Sequence, residues 1–137
     1  MRIRNYNEPF PYIVIDDYYE RSELEYIWEE LNFLNYPYKL KRATREAGGA
    51  SDESGQLLKK NFHRYLDGIY IERELSNILS VNRKLFEGEY KLFRQHPHWF
   101  FQNIVVNSDY TQVGYYENND EYGLHFDSAT VTSLTWL

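Results

Sequence analysis

The chain has 137 residues, with 21 acidic and 15 basic side chains and no cysteine. This length suits one small domain, and the net charge of −6 disfavours a general nucleic-acid-binding protein, which needs a basic face. The absence of cysteine excludes a disulfide scaffold, a thiolate zinc site and a thiol nucleophile.

The sequence carries no signal for export or for membrane insertion. Residues 1–6 lack the apolar core of a secretory signal. The longest apolar stretches, residues 12–15 and 99–101, are too short to cross a bilayer. Together with the absence of cysteine, these features predict a cytoplasmic protein with no membrane partner.

The first predicted elements are a strand and a helix. Residues 9–17 contain two prolines followed by β-branched side chains, which is typical of a strand. Ser22 and Glu25 have the spacing of a helix capping box. Pro37 is expected to end this helix. Its apolar positions recur at helical spacing and form one stripe: Leu24, Ile27, Trp28, Leu31 and Leu34.

The middle of the chain is predicted to hold a loop and a second helix. Residues 43–56 contain three glycines and several small polar residues, which favours an exposed loop. A long helix is predicted over residues 68–88, with charged side chains on its solvated face. Its opposite face carries Ile71, Leu75, Ile78, Leu79, Asn82, Leu85 and Phe86.

The remainder of the chain has the pattern of a β-region. Strands are predicted over residues 104–106, 110–116, 124–127 and 131–137, with a turn at 118–120. The order of one strand, two helices and then several strands predicts the α+β class. We expect one domain over residues 1–137, in which 1–98 provide mainly helical support and 99–137 begin the β core.

The sequence feature most indicative of chemistry is His125-Phe126-Asp127. On a strand, side chains two residues apart point to the same face, so His125 and Asp127 would converge. An imidazole and a carboxylate supply two of the three ligands of the facial triad that binds Fe(II) in oxygenases. The ordinary alternative is a hydrogen-bonded pair on the protein surface.

The surrounding spacing resembles a known family. Tyr116-x5-Tyr122-x2-His125-x-Asp127, followed by Thr132, resembles the Fe(II)- and 2-oxoglutarate-dependent oxygenases of the prolyl 4-hydroxylase type. The proline-flanked strand at 9–17 and its following helix are similar to the usual opening of that group. The resemblance implies the first part of a double-stranded β-helix, a jelly-roll or cupin-like fold.

The resemblance implies a role for each of these residues. His125 and Asp127 would be the catalytic metal ligands, and Tyr122 would bind the distal carboxylate of 2-oxoglutarate. Thr132 would line the same co-substrate pocket, and Tyr116 would lie near the substrate. The implied reaction uses Fe(II), 2-oxoglutarate and O₂, gives succinate and CO₂, and hydroxylates an unactivated C–H bond. Ascorbate is an accessory reductant that this resemblance would allow.

Structural explanations compete with these roles. Tyr116 and Tyr122 could be cross-strand packing residues, and Thr132 could reflect β propensity. Trp136 occupies a position that is often aromatic in the family, and we expect it in the core. Asn119 stands where relatives usually have glycine, and asparagine tolerates the same backbone conformation.

The resemblance places a third ligand, a distal His, and a basic partner of 2-oxoglutarate downstream of Asp127. The other histidines precede it: His63 lies in a polar segment, and His96 and His98 flank a proline in a predicted exposed loop. We therefore expect the N-terminal portion of an oxygenase that is catalytically incomplete by itself. Its strand at 131–137 would pair with a completing chain or with a second copy.

Two other interpretations remain open. The chain could be a binding or assembly module that pairs through residues 131–137, or a non-catalytic cupin-like domain, for example a phage structural protein. For the oxygenase, the sequence allows a small-molecule or peptide substrate, including a prolyl side chain or a free amino acid. A nucleobase is also chemically compatible, although the net charge disfavours nucleic acid.

Overall fold

The computed structural model describes residues 1–35, 39–44, 49–85 and 90–137, and only the backbone of residues 90 and 91. This part of the chain combines helices with small antiparallel sheets, which confirms the α+β class. Three features of the sequence analysis lie outside the described residues: Pro37, residues 45–48 of the predicted loop and residues 86–88 of the predicted second helix. No helix in the described ranges is long and apolar enough to cross a membrane.

The chain begins with a two-stranded antiparallel hairpin. Strand β1 (Arg2–Tyr6) pairs with β2 (Tyr12–Asp16), with Ile3 opposite Ile15. Strand β2 confirms the strand predicted within residues 9–17. Strand β1 was not predicted, because its sequence is mostly polar and only Ile3 turns toward the core.

Helix α1 (Arg21–Asn35) confirms the first predicted helix. Its cap differs from the predicted one: the Glu23 carboxylate accepts a hydrogen bond of 2.8 Å from the backbone N–H of Glu20. The capping pair is therefore Glu20 and Glu23, and the prediction of Ser22 and Glu25 is wrong. Ile27 and Leu34 are buried as expected, whereas Trp28 is 47% exposed.

The second long helix is not observed over the described residues 68–85. Short 3-10 turns at 66–68, 73–75 and 83–85 surround a helix of six residues, α2 (Asn77–Asn82). Ser76 has an extended backbone and accepts a hydrogen bond of 3.0 Å from the N–H of Leu79. This N-cap begins a new helix, so the helix predicted over residues 68–88 is interrupted at residue 76 although the apolar spacing continues.

The central strands bring distant segments together. Strands β3 (Lys41–Arg42), β5 (Phe62–Tyr65) and β6 (Gln112–Tyr115) form one sheet, with β5 in the middle. Strand β4 (Lys59–Lys60) pairs with β7 (Glu121–Tyr122). Because one residue separates β4 from β5, residues 59–65 run as a bent strand opposite residues 112–122. Strand β6 and the turn at 118–119 confirm two predictions.

The other strand predictions in the C-terminal part are wrong. Residues 99–103 form helix α4 (Trp99–Asn103), which follows α3 (Tyr90–Arg94), and residues 104–106 are irregular. Residues 124–127 and 131–137 are irregular, and neither segment pairs with a strand of the described chain. Strands β1 to β5 precede residue 99, so strands lie on both sides of that residue. Trp136, expected in the core, is 84% exposed.

Among the described residues, two apolar clusters form the interior. The first packs α1 against α2 through Ile27, Leu34, Leu66, Ile78 and Leu79. The second packs the β1–β2 hairpin against α3 and α4 through Leu92, Phe93, Phe101 and Ile104. The loop at 96–98 is observed, but His96 is fully buried, contrary to the exposed position expected. Its Nε2 donates to the carbonyl oxygen of Tyr6 over 3.0 Å, and this bond joins the loop to the hairpin.

Candidate functional site

The candidate site follows strand β7, and an ion pair positions this strand. The Arg42 guanidinium donates two hydrogen bonds to the Asp120 carboxylate, over 2.8 and 2.5 Å. That carboxylate also accepts from the N–H of Glu117 over 3.0 Å. Asn119 takes the left-handed conformation, with φ of 71°. These bonds join the turn between β6 and β7 to strand β3. The turn in turn determines the position of Tyr122, the first residue of the site.

His125 and Asp127 converge as the sequence analysis expected, although not on a strand. His125 Nε2 lies 3.1 Å from Asp127 Oδ1. Phe126, between them, is fully exposed, so the two polar side chains share one side of an irregular segment. Their side chains are 25% and 43% exposed, which leaves the space in front of them open to a ligand.

The hydrogen bonds around this pair orient both groups. His125 Nδ1 lies 2.9 Å from the carbonyl oxygen of Gly123, which can only accept, so Nδ1 carries a proton. The Thr132 hydroxyl donates to Asp127 Oδ2 over 2.6 Å. Nε2 and Oδ1 are therefore the atoms left facing each other.

This arrangement fits part of a metal site. If Nδ1 holds the only imidazole proton, Nε2 and Oδ1 are two acceptors at 3.1 Å, and they attract only when a proton or a cation lies between them. A divalent metal is such a cation, and metal-binding histidines commonly donate their other N–H to a carbonyl oxygen, as His125 does. The alternative is an imidazolium–carboxylate ion pair.

Tyr122 supports the imidazole. The rings of Tyr122 and His125 stack with centroids 3.8 Å apart and planes within 10°. Burial raises the pKa of the Tyr122 hydroxyl, and the negative charge of Asp127 raises it further. The hydroxyl therefore stays protonated at neutral pH and can donate a hydrogen bond to an anionic group.

The other predicted residues lie at different distances from this centre. Thr132 contacts Asp127 directly, as described above. Tyr116 is 47% exposed and close enough to Tyr122 to influence the pKa of its hydroxyl. Trp136 is exposed and makes no hydrogen bond or ring contact with the site residues that the structure describes.

Sequence reasoning missed a row of buried polar side chains beside Tyr122. Lys59, Asn61 and His63 are all at least 94% buried, and Gln112 on β6 contacts both Lys59 and His63. The sequence does contain a pattern that could have revealed this row. The three polar residues are two positions apart, so on a strand their side chains point to the same face. It was overlooked because the segment reads as polar and exposed.

The structure does not supply a third metal ligand from the part of the chain it describes. Within residues 1–35, 39–44, 49–85 and 90–137, no group of three or more His, Cys, Asp and Glu side chains could hold a metal ion. His96 and His98 are occupied in structural hydrogen bonds. Known proteins add no constraint, since no family model, curated protein or solved structure matches this chain.

Proposed function

We propose that the chain contributes to an Fe(II)- and 2-oxoglutarate-dependent dioxygenase that hydroxylates an unactivated C–H bond, with a double-stranded β-helix as its fold. The observation that carries this proposal is the convergence of His125 Nε2 and Asp127 Oδ1, each held from behind by a second hydrogen bond. These are the donor types of the facial triad. The third protein ligand has to come from outside the described side chains.

Each residue has a distinct task in this proposal. His125 and Asp127 would hold the metal, and Thr132 binds Asp127 Oδ2 so that Oδ1 stays next to His125 Nε2. Tyr122 keeps the imidazole plane fixed by stacking and offers a neutral hydroxyl to a carboxylate of 2-oxoglutarate. Bound iron with 2-oxoglutarate and O₂ supplies the oxidising chemistry, and ascorbate would act only as an accessory reductant.

The test is formation of succinate from 2-oxoglutarate by the full-length gene product under aerobic conditions with Fe(II). We expect iron-dependent succinate formation that is lost in His125→Ala and in Asp127→Ala. His98→Asn is the matched control, because His98 caps α4 and is not part of the site. Equal succinate formation by the wild type and both site variants, or none by any of them, would overturn the oxygenase proposal.

A second candidate is a non-catalytic cupin-like binding or assembly module. The exposure of large apolar side chains after β7 favours it, since such patches often mark interaction surfaces. These side chains are Leu124, Phe126, Leu134 and Trp136, each at least 69% exposed. This candidate predicts a dimer whose fraction rises with concentration, abolished by Trp136→Ser and unaffected by Fe(II). Sedimentation velocity measures the dimer, and the absence of iron-dependent succinate formation separates this module from the oxygenase.

A further inference from the structure

Lys59 occupies an unusual place for a lysine. It lies on β4 directly opposite Tyr122 on β7, and only 4% of its surface is exposed. Its Nζ lies 5.0 Å from the centroid of the Tyr122 ring. A buried lysine normally has a carboxylate partner, because an isolated charge is costly to remove from water.

The neighbouring lysine shows how this strand otherwise satisfies an ammonium group. Lys60 pairs with Glu121 at 2.5 Å, and its side chain is 47% exposed. Lys59 has no carboxylate within ion-pair distance among the described residues, and Asp127 is the acidic group whose charge affects its pKa. Burial lowers the pKa of Lys59, and the charge of Asp127 opposes that effect.

The hydrogen bonds of Lys59 position it without neutralising it. Its Nζ donates to Gln112 Oε1, and Gln112 Nε2 lies 3.1 Å from His63 Nδ1. The second contact orients the Gln112 amide so that its oxygen faces the lysine. An ammonium group has three N–H donors. One of them binds Gln112, and the other two have no acceptor among the described residues.

The same interior contains another unsatisfied polar group. Both polar atoms of the Asn61 side chain are buried without a hydrogen-bond partner among the described residues. Asn61 Nδ2 faces Gly114, where a Cβ atom would lie 3.1 Å away. A protein rarely leaves buried polar groups unpaired, so a buried lysine without a carboxylate and a buried amide without a partner together indicate a missing ligand that accepts hydrogen bonds.

We propose that Lys59 is the cationic residue that binds a carboxylate of the ligand at the His125 site. The Tyr122 hydroxyl is the second donor to that carboxylate. The identity of the ligand as 2-oxoglutarate rests on the proposed function, whereas the anionic chemistry rests on Lys59 and its surroundings. The basic partner of the co-substrate is then supplied by strand β4, upstream of the metal ligands, and not by a downstream strand as the sequence analysis expected.

The test is calorimetric titration of the protein with 2-oxoglutarate and with succinate, each with and without Mn(II). Lys59→Met removes the charge and keeps the length of the side chain. Because hydrogen bonds to charged groups contribute about 1.5–3 kcal/mol, we expect both anions to bind at least about tenfold more weakly. Lys60→Met is the matched control and should bind like the wild type. Lys59→Gln serves as a second variant if Lys59→Met does not fold.

The outcomes separate this inference from the proposed function. Unchanged anion binding in Lys59→Met, or no binding of either anion by the wild type, would overturn the role of Lys59. Binding of succinate and 2-oxoglutarate through Lys59, with no iron-dependent succinate formation, would support the role of Lys59 and contradict the oxygenase. Iron-dependent succinate formation, together with unchanged anion binding in Lys59→Met, would support the oxygenase and contradict the role of Lys59.

Discussion

The imidazole of His125 lies flat against the ring of Tyr122, with centroids 3.8 Å apart and planes within 10°. The Lys59 ammonium also lies near the Tyr122 ring, and burial together with the charge of Asp127 raises the pKa of the Tyr122 hydroxyl. Tyr122 therefore contacts the proposed metal ligand and lies beside the proposed anion-binding cation. Substitutions at this residue should separate the two functions.

Tyr122→Phe keeps the stacked ring and removes the hydroxyl. We expect Mn(II) binding like that of the wild type and weaker binding of 2-oxoglutarate. Tyr122→Ala also removes the stack, which is worth about 0.5–1.5 kcal/mol, so Mn(II) should bind about 2- to 10-fold more weakly. Mn(II) electron paramagnetic resonance and calorimetry measure the two effects. Equal loss of metal affinity in both variants would contradict the supporting role of the ring.

Thr132→Val removes the hydroxyl that donates to Asp127 Oδ2 over 2.6 Å and keeps the size of the side chain. Groups that orient a metal ligand typically contribute about 10- to 100-fold to metal affinity. We expect a loss of this size in a Mn(II) titration. Thr130→Val, at an exposed position of the same segment, is the control, and a similar loss in both variants would indicate a general effect on the segment.

Glu30 is a buried carboxylate that joins helices α1 and α2. It accepts hydrogen bonds from the Ser76 hydroxyl over 2.6 Å and from the Ile78 N–H over 2.9 Å. Glu30→Ala leaves both buried donors unpaired, so we expect a free energy of unfolding lower by about 3 kcal/mol. Exposed Glu29→Ala should change it by less than about 0.5 kcal/mol. Urea denaturation provides the comparison, and equal stabilities would refute the role of Glu30.

Tyr70 should make stability depend on alkaline pH. Burial, the hydrogen bond to Glu30 and the charge of Glu30 raise the pKa of its hydroxyl from 10.0 to about 12. Between these values the unfolded chain loses a proton that the folded chain keeps, so the stabilising contribution is complete below pH ~10 and is lost as pH rises to ~12. The stability advantage of the wild type over Tyr70→Phe should therefore shrink across that range. A constant difference in urea denaturation would contradict the assignment.

Local sequence signals predicted the elements that depend on local interactions. The apolar stripe identified α1, the β-branched run identified β2, and asparagine chemistry identified the turn at 118–119. The prediction of a second long helix was wrong because Ser76, buried against Glu30, begins a separate helix. Its apolar spacing continues through residue 76, so only the tertiary contact distinguishes one helix from two.

The convergence of His125 and Asp127 was predictable from the sequence, whereas the surroundings of this pair were not. His125 and Asp127 are two residues apart, so their convergence needs only an extended backbone, even without a strand. Lys59 was not predictable, because its place beside Tyr122 depends on the pairing of β4 with β7 across nearly half of the chain. The same holds for the Arg42–Asp120 pair that fixes the turn before the site.

The shared metal site is tested by titrating the wild type, His125→Ala and Asp127→Ala with Mn(II) and following the titration by electron paramagnetic resonance. We predict one saturable Mn(II) site per chain in the wild type and its loss in both variants, while circular dichroism confirms that all three proteins are folded. Retention of the same site in either variant, or no saturable site in the wild type, would contradict the claim that His125 and Asp127 bind a metal together.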